Sequence, residues 1–459
     1  MTGLVAADRL GLEPFLANRV GHEPAWLVAI RREAAARFAE RGLPDRHLED
    51  WKYTSLTALG ELPLSAPVPD LAGIVVTPAR ALQAAGLSDW DGPVAVFVSG
   101  RLIPDASRLG DLPAGIHVTG LSDRISAPAV ADLLKRPLRS DDGLADLIRA
   151  LAIDGAVVEV ADRTVSERPL LLLFLSLPGA GPAAVHLRNL FLFGKQSQVQ
   201  IAEVHAALTG LDASGEKDAR AEGTRAAHLS HQISQFQIDA GAVVTHTVLQ
   251  REDPGCVYVG RLEAEVGRDA SWTSNALSVG AELARWDLHV NLADDGACTI
   301  LNGLYLEADR QHVDFHTTID HAHPHTTSRE LYKGVLDGSA TGVFNGKVLV
   351  REGAIKTVAQ QTNRNLLLSD AAQINTKPQL EIFADDVKCS HGATIGQLDA
   401  AALFYLRSRG LSEDDARRLL LYAFASEVLA FVPEPMSRAL SGILLKRLPA
   451  QGDFQEVSR

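Results

Sequence analysis

Three cysteines occur in the 459-residue chain, Cys256, Cys298 and Cys389, and the last stands two residues before a histidine in Val387-Lys388-Cys389-Ser390-His391-Gly392. On an extended strand successive side chains alternate between faces, so Cys389 and His391 would share one. A thiol beside an imidazole can hold a soft metal, or act as nucleophile and base. Two ligands do not complete the four-coordinate site usual for zinc or an iron–sulfur cluster. Any metal here needs further donors from elsewhere, or is held transiently. Lys388 would lower the thiol pKa if close, whereas Asp385 and Asp386 would work the other way. The plain alternative is a small buried thiol beside a capping or core histidine.

Other patterns carry weaker chemistry. His312 and His316 are followed by His321, His323 and His325, which alternate as if on one strand face. That spacing suits a divalent metal, but Pro324 interrupts any ladder and no Cys or carboxylate set completes the site. A polar face of a β-core is the better reading. Asp294-Asp295 or Asp385-Asp386 could serve as acid and base in a β-solenoid enzyme acting on polysaccharide. The low aromatic content of 5% leaves few sugar-stacking platforms and counts against it. Cys389 as an acyltransferase nucleophile would have its base unusually near in sequence. No Gly-x-Ser-x-Gly elbow occurs, and Gly346-Lys347-Val348 lacks the hydroxyl and the upstream glycine of a P-loop. The chain is not expected to bind or hydrolyse ATP.

The elements that must position these residues read as follows. Pro24 to Arg41 is helical, with Trp26, Leu27, Ile30, Ala34 and Phe38 at helical spacing and Gly42 as the stop. Mixed structure follows to about Gly155, and Pro63 to Pro69 reads as a connector. Short apolar or alternating runs then succeed one another: Val157–Val160, Leu170–Leu175, Leu187–Phe193, Val199–Val204, Val243–Leu249 and Val257–Val266, a pattern that persists to Val387. Strands so short and numerous suggest a sandwich, barrel or solenoid. Aligning Ala242, Ala270, Ala297, Ala340 and Ala372 gives steps of 28, 27, 43 and 32 residues, with Asn275, Asn302 and Asn345 each five places after its alanine. A strand-rich period near 30 fits stacked β-coils. The tail is helical from Asp399 to Arg409, again after the capping Ser412, and from Met436 to Arg447. Leu419, Leu420, Ala423, Phe424, Val428 and Phe431 form an apolar stripe. Its burial is worth roughly 10 kcal/mol before entropy costs, enough to justify it without a partner. These three helices read as a separate lobe.

Bulk properties narrow the class. A chain this long implies two or three domains. A net charge of -13 argues against a general nucleic-acid binder. Three widely spaced cysteines are no disulfide framework and suit a reducing compartment. Met1 to Phe15 lacks a secretory pattern, and the apolar run Leu170 to Leu175 is far short of the roughly 20 residues that span a bilayer. A cytoplasmic protein without membrane contact is expected.

Several motifs then converge. Pro378-Gln379-Leu380-Glu381-Ile382 runs into Phe383-Ala384-Asp385-Asp386-Val387-Lys388-Cys389-Ser390-His391-Gly392-Ala393-Thr394. Leu403-Phe404-Tyr405-Leu406-Arg407-Ser408-Arg409-Gly410-Leu411 follows. Upstream lie Asp320-His321, Pro324-His325-Thr326-Thr327-Ser328, Glu330-Leu331-Tyr332-Lys333-Gly334, Val343-Phe344-Asn345-Gly346-Lys347 and Asn365-Leu366-Leu367-Leu368. Glu49-Asp50-Trp51-Lys52-Tyr53-Thr54 adds an N-terminal motif, which by itself reads as a structural brace. Together they resemble the SufB/SufD family of iron–sulfur cluster assembly proteins, densely from about Asp320 to Val428. Gly392, where the B-type branch would carry Glu, favours the D-type branch.

The resemblance implies a mainly β protein: a right-handed parallel β-helix core, residues 156–392, between an N-terminal helical and mixed domain, 1–155, and a C-terminal helical domain, 393–459. It implies a scaffold subunit rather than an enzyme, paired with a SufB-like subunit and bound to a SufC-like ABC ATPase, and able to form a homodimer when alone. His391 first, and Cys389 second, would support iron acquisition or cluster assembly at the shared interface. Iron or a nascent iron–sulfur cluster would be held transiently and jointly with the partner. The ATPase would dock on the tail, for which Tyr405, Arg407, Arg409, Leu420 and Phe424 are the candidates.

Overall fold

The short runs become strands that stack in parallel. The computed structural model describes residues 12–57, 59, 62, 75–139, 142–177, 183–208 and 228–447. Its first strands are β1 (Val94–Val98), β2 (Arg101–Leu102), β3 (Ile116–Gly120), β4 (Ala156–Val160) and β5 (Leu170–Ser176). Next come β6 (Ala183–Phe193), β7 (Gln198–Ala207), β8 (His228–Ile238), β9 (Val243–Arg251) and β10 (Cys256–Val266). Then follow β11 (Ser271–Ser278), β12 (Leu283–Leu292), β13 (Cys298–Glu307), β14 (His312–His321) and β15 (Thr327–Leu336). The last are β16 (Thr341–Val350), β17 (Val358–Leu367), β18 (Gln373–Ile382) and β19 (Lys388–Gly396). From β4 onward each strand pairs in parallel with the strand two places later. The chain thus alternates between two sheets, odd-numbered β19 to β5 in one and even-numbered β18 to β4 in the other. The result is a parallel β-solenoid of about seven turns with helices at both ends. Strands β1 and β3 extend its two sheets at the N-terminal end.

Alternation along each strand sends every second side chain inward. Aromatic rings fill much of that interior: Trp286 stacks on Phe315 at 5.7 Å between centroids, and Phe315, Tyr332 and Phe344 follow at 5.2 and 5.0 Å. Glycines make room for them. A Cβ on Gly303 would lie 2.1 Å from the Tyr332 ring, and one on Gly334 would lie 2.0 Å from that of Tyr305.

The internal repeat is real, with one correction. Strand starts in the odd sheet recur every 27 to 31 residues from Ser271 to Lys388. The 43-residue step from Ala297 to Ala340 is not a coil, because it crosses from β13 in one sheet to β16 in the other. Asn275 and Asn302 are true register partners. Asn302 Nδ2 donates to Asn275 Oδ1 at 2.9 Å, and Asn275 Nδ2 donates to Thr247 Oγ1 at 2.9 Å. Asn345 lies in the other sheet beside His316. The ladder runs along the outer face under the tail, where Asn275 also donates to the Phe431 carbonyl at 3.0 Å.

Helical segments cover both outer faces. Ala25–Arg41 ends at Gly42, whose φ of 69° and bond to the Phe38 carbonyl stop it as expected. With Gly143–Leu151 it packs Phe38, Leu144 and Leu147 over Leu229 and Val259. The connector at Pro63 to Pro69 lies outside the described residues. Glu49 to Thr54 braces the even sheet. Trp51 is buried with the Arg285 guanidinium 4.4 Å over its ring, and Thr54 Oγ1 bonds both Asp314 and His312.

The tail does not stand off as a free lobe. Helix Glu413–Leu429 lies on the odd sheet and buries Leu421, Ala425, Val428 and Leu429 against Leu277, Leu304 and Leu331. Of the expected stripe only Val428 is buried; Leu420 and Phe424 are half-buried, and Leu419, Ala423 and Phe431 are exposed. The run from Leu419 to Phe424 is apolar on every side of the helix, so periodicity could not choose the face. Polar clamps choose it. Lys333 Nζ donates to the Phe424 carbonyl at 2.8 Å and pairs with Glu427 at 2.8 Å.

Candidate functional site

Among the described residues β19 is the last strand of its sheet and pairs only with β17. Cys389 is the register partner of Ala359 and His391 that of Gln361, both buried residues of β17. Cys389 and His391 therefore share the inner side of the final coil, as alternation requires. His391 is exposed, whereas Cys389 is half-buried among Val348, Val350, Ala354 and Ala359. Burial raises the Cys389 pKa, opposed only by a hydrogen bond to the Ala359 backbone. Neither Lys388 nor the two aspartates sets it, so the thiol is protonated at neutral pH and needs a metal or a base to ionise. This is poor preparation for an acyl-transfer nucleophile. It suits a ligand whose proton leaves when a cation arrives.

Behind His391 lies a polar column. Gln361 Nε2 donates to Glu330 Oε2 at 2.6 Å, and both residues are buried. Burial pushes the Glu330 carboxyl up to about 7, against hydrogen bonds from Thr317 and Gln361. The sequence singled out Glu330 only as part of a motif and Gln361 not at all. Their place behind His391 depends on the register of β15, β17 and β19. The one legible signal was the coil period, which puts Glu330, Gln361 and His391 at equivalent positions.

The docking candidates divide. Helix Ala400–Ser408 buries no residue; Phe404 is 73% and Tyr405 63% exposed. Arg407 and Arg409 are exposed, with Arg407 3.3 Å from Glu413. Leu420 and Phe424 are half-buried, and Phe424 belongs to the clamp at Lys333, whose ammonium lies 4.4 Å over its ring.

The five histidines do not share a face. His312 and His316 lie on the outer side of β14 around Asp314, with His316 at 3.1 Å from it. His321 is buried, bonded to Thr326 and Ser328 at 2.8 and 2.9 Å. Beyond it β14 ends, and Pro324 and a left-handed His325 (φ 59°) turn the chain. Folding does bring Asp294 and Asp295 to His323, but Arg268 already pairs with both carboxylates, at 2.6 and 3.5 Å. Asp386 pairs with Lys356. A cavity of about 500 Å³ lies instead over the outer even sheet between Trp51, Arg139, Arg261 and Lys347. A second, of about 320 Å³, extends from Tyr53 to Ile395 on β19. Among the described residues no helix is long and apolar enough to cross a membrane.

Comparison with known proteins agrees with the motifs. Residues 177–424 match the SUF system FeS cluster assembly, SufBD core domain, and residues 19–172 match the SufBD protein N-terminal region. An iron–sulfur cluster assembly SufBD family protein of Synechocystis sp. is 34% identical over 415 residues, 90% of this chain and 89% of its own length. The iron–sulfur cluster assembly protein SufD of Escherichia coli is 30% identical over 411 residues, 89% of this chain and 90% of its own. SufD of Bacillus subtilis is 30% identical over 220 residues, 47% of this chain and 50% of its own. With its parallel solenoid, its helical ends and these matches along most of its length, the chain belongs to the SufBD family of SUF-system iron–sulfur cluster assembly proteins.

Proposed function

We propose that the chain is a D-type scaffold subunit of a SUF complex, without turnover of its own. It pairs with a SufB-like subunit through the β18–β19 end of the solenoid and binds a SufC-like ABC ATPase through its tail. Iron or a nascent cluster is the cargo, held transiently by His391 and Cys389 together with donors from the partner. The observation that carries this reading is the exposed His391 beside a half-buried Cys389 on a strand with an open edge. Two donors facing the same way at an edge are half a site, and a facing subunit can supply the rest. The tail supports the second contact: Phe404 and Tyr405 lie exposed on a helix that buries none of its own residues. ATP-driven closure of the ATPase would shift the two scaffold subunits and open or assemble the shared site. Alone, the same open end would pair with a second copy.

The test is co-expression of the tagged chain with its SufB-like and SufC-like partners, followed by affinity capture and anaerobic cluster assembly. His391→Ala should retain the complex and lose cluster assembly. Phe404→Asp with Tyr405→Asp should lose the ATPase while keeping the sister subunit. Capture of the chain alone, or full cluster assembly by His391→Ala, would overturn the reading.

A further inference from the structure

Far from β19, three donors of different chemistry meet inside the solenoid. His228 opens β8 and Cys256 opens β10, and the two are register partners on adjacent strands. Glu252 reaches the same corner from the turn after β9. A ligand atom of each lies within 4.8 Å of the other two, and all three residues are buried, at 4%, 4% and 0% exposure. The His228 Nε2 to Glu252 Oε2 distance is 3.6 Å, the separation of two ligands on one small cation rather than of a tight hydrogen bond.

We propose that His228, Glu252 and Cys256 form a site for a single divalent transition-metal ion of the zinc or ferrous type, separate from the edge site on β19. Nitrogen, oxygen and sulfur donors together suit such an ion and disfavour calcium and magnesium, which take oxygen alone. Second contacts are in place. Ser176 Oγ donates to Glu252 Oε2 at 2.8 Å, and Asp253 Oδ1 stands 3.9 Å from His228 Nδ1 while accepting from the Gly255 N–H at 2.8 Å. A small void of about 10 Å³ adjoins Glu252, lined also by Ser176, His205 and Ser230. Burial, together with Glu252 and Asp253, raises the Cys256 pKa well above its ordinary value. Without a cation the thiol therefore keeps its proton; a bound ion would displace it and be neutralised by thiolate and carboxylate. Four strand steps along the even sheet separate β10 from β18, roughly 19 Å at ~4.8 Å per step, so the site shares no ligand with Cys389 or His391.

The experiment uses the full chain, purified anaerobically with reductant, stripped with chelator and titrated with Zn²⁺ and, separately, Co²⁺. Wild type should bind one equivalent and show a thiolate-to-cobalt charge-transfer band. Cys256→Ser should lose the band, and Glu252→Gln, which keeps the side-chain volume, should weaken Zn²⁺ binding by about 10- to 100-fold or more. Cys389→Ser should keep the band, which separates this site from the edge site whatever the fate of the scaffold reading. Elemental analysis of unstripped protein then distinguishes zinc from iron as the resident ion. A wild-type chain that gives no cobalt–thiolate band, or a band that survives Cys256→Ser, would overturn the proposal. So would unweakened binding by a folded Glu252→Gln.

Discussion

Replacing Lys333 by Met should loosen the tail and leave the solenoid intact. The Lys333 ammonium is buried under helix Glu413–Leu429, where it donates to the Phe424 carbonyl, lies over the Phe424 ring and pairs with Glu427. A charge-assisted hydrogen bond contributes about 1.5–3 kcal/mol and a desolvated cation–π contact about 1–2 kcal/mol. Glu427 is 52% exposed, so its pair with the lysine is screened and adds at most about 1 kcal/mol. Burial lowers the Lys333 pKa despite Glu427, so desolvating the ammonium offsets part of this sum. A net loss of about 2–3 kcal/mol remains, with Met filling the aliphatic volume. The assay is native-state hydrogen exchange. Protection of amides in 413–429 should fall by roughly 30- to 150-fold while β13 and β15 hold theirs. A fall of less than about threefold would refute the clamp. A uniform loss across the solenoid would show Lys333 to be a core residue that does not select the helix face.

Two further predictions concern buried charge. Glu330, with a carboxyl pushed up to about 7 by burial, binds a proton in the folded chain that it releases near pH 4.3 when unfolded, so its contribution to stability should fall as pH rises from about 4 to about 7 and level off above. Glu330→Gln should flatten that slope in urea titrations; an unchanged slope would mean the carboxyl is already ionised in the fold. Arg285, buried with Asp314, holds that carboxyl well below its ordinary range although burial pushes the other way. Arg285→Met should cost about 3–5 kcal/mol at neutral pH. Because a depressed carboxylate stabilises above its unfolded pKa and loses that contribution on acidification, the deficit should shrink below about pH 4. A constant deficit from pH 7 to 3 would remove Asp314 from the explanation.

Much of the architecture was legible because a solenoid repeats itself along the chain. The strands from Val157 onward, the coil period and the helix stops at Gly42 and Gly410 are local features, set by alternation and by glycine's freedom at positive φ. The shared face of Cys389 and His391 followed from the same alternation. What failed was non-local. The face of helix Glu413–Leu429 is selected by Lys333 and Asn275, more than 75 residues upstream, and nothing in its own apolar run encodes that choice. His321, His323 and His325 alternate in the sequence, but β14 ends at His321 and the other two fall in the turn that follows. Cys256 stood in the sequence as one isolated thiol. Glu252 stands only four residues before it, in the turn that leads into β10, but His228 comes from the preceding coil, and only the pairing of β8 with β10 brings it to the thiol.

The final coil ties the fold to the proposed chemistry. Repeat architectures bury each layer against the next, so a terminal layer is stable only when something covers it. Among the described residues β18 and β19 pair with no further strand, β19 is exposed along nearly its whole length, Ile395 included, and Phe383 is exposed just before it. An open parallel edge with apolar side chains invites pairing with another chain. The interior changes character toward the same end: the aromatic layers of β12 to β16 give way to Gln361, Asn363 and Asn365 in β17, then to Cys389 and His391. If the end were merely to be capped, apolar residues would serve better than a thiol and an imidazole. On the proposed reading a single partner surface meets both needs, covering the strand edge and completing the ligand set. Docking and cluster chemistry then become one event, in which no site exists until the partner subunit closes the last coil.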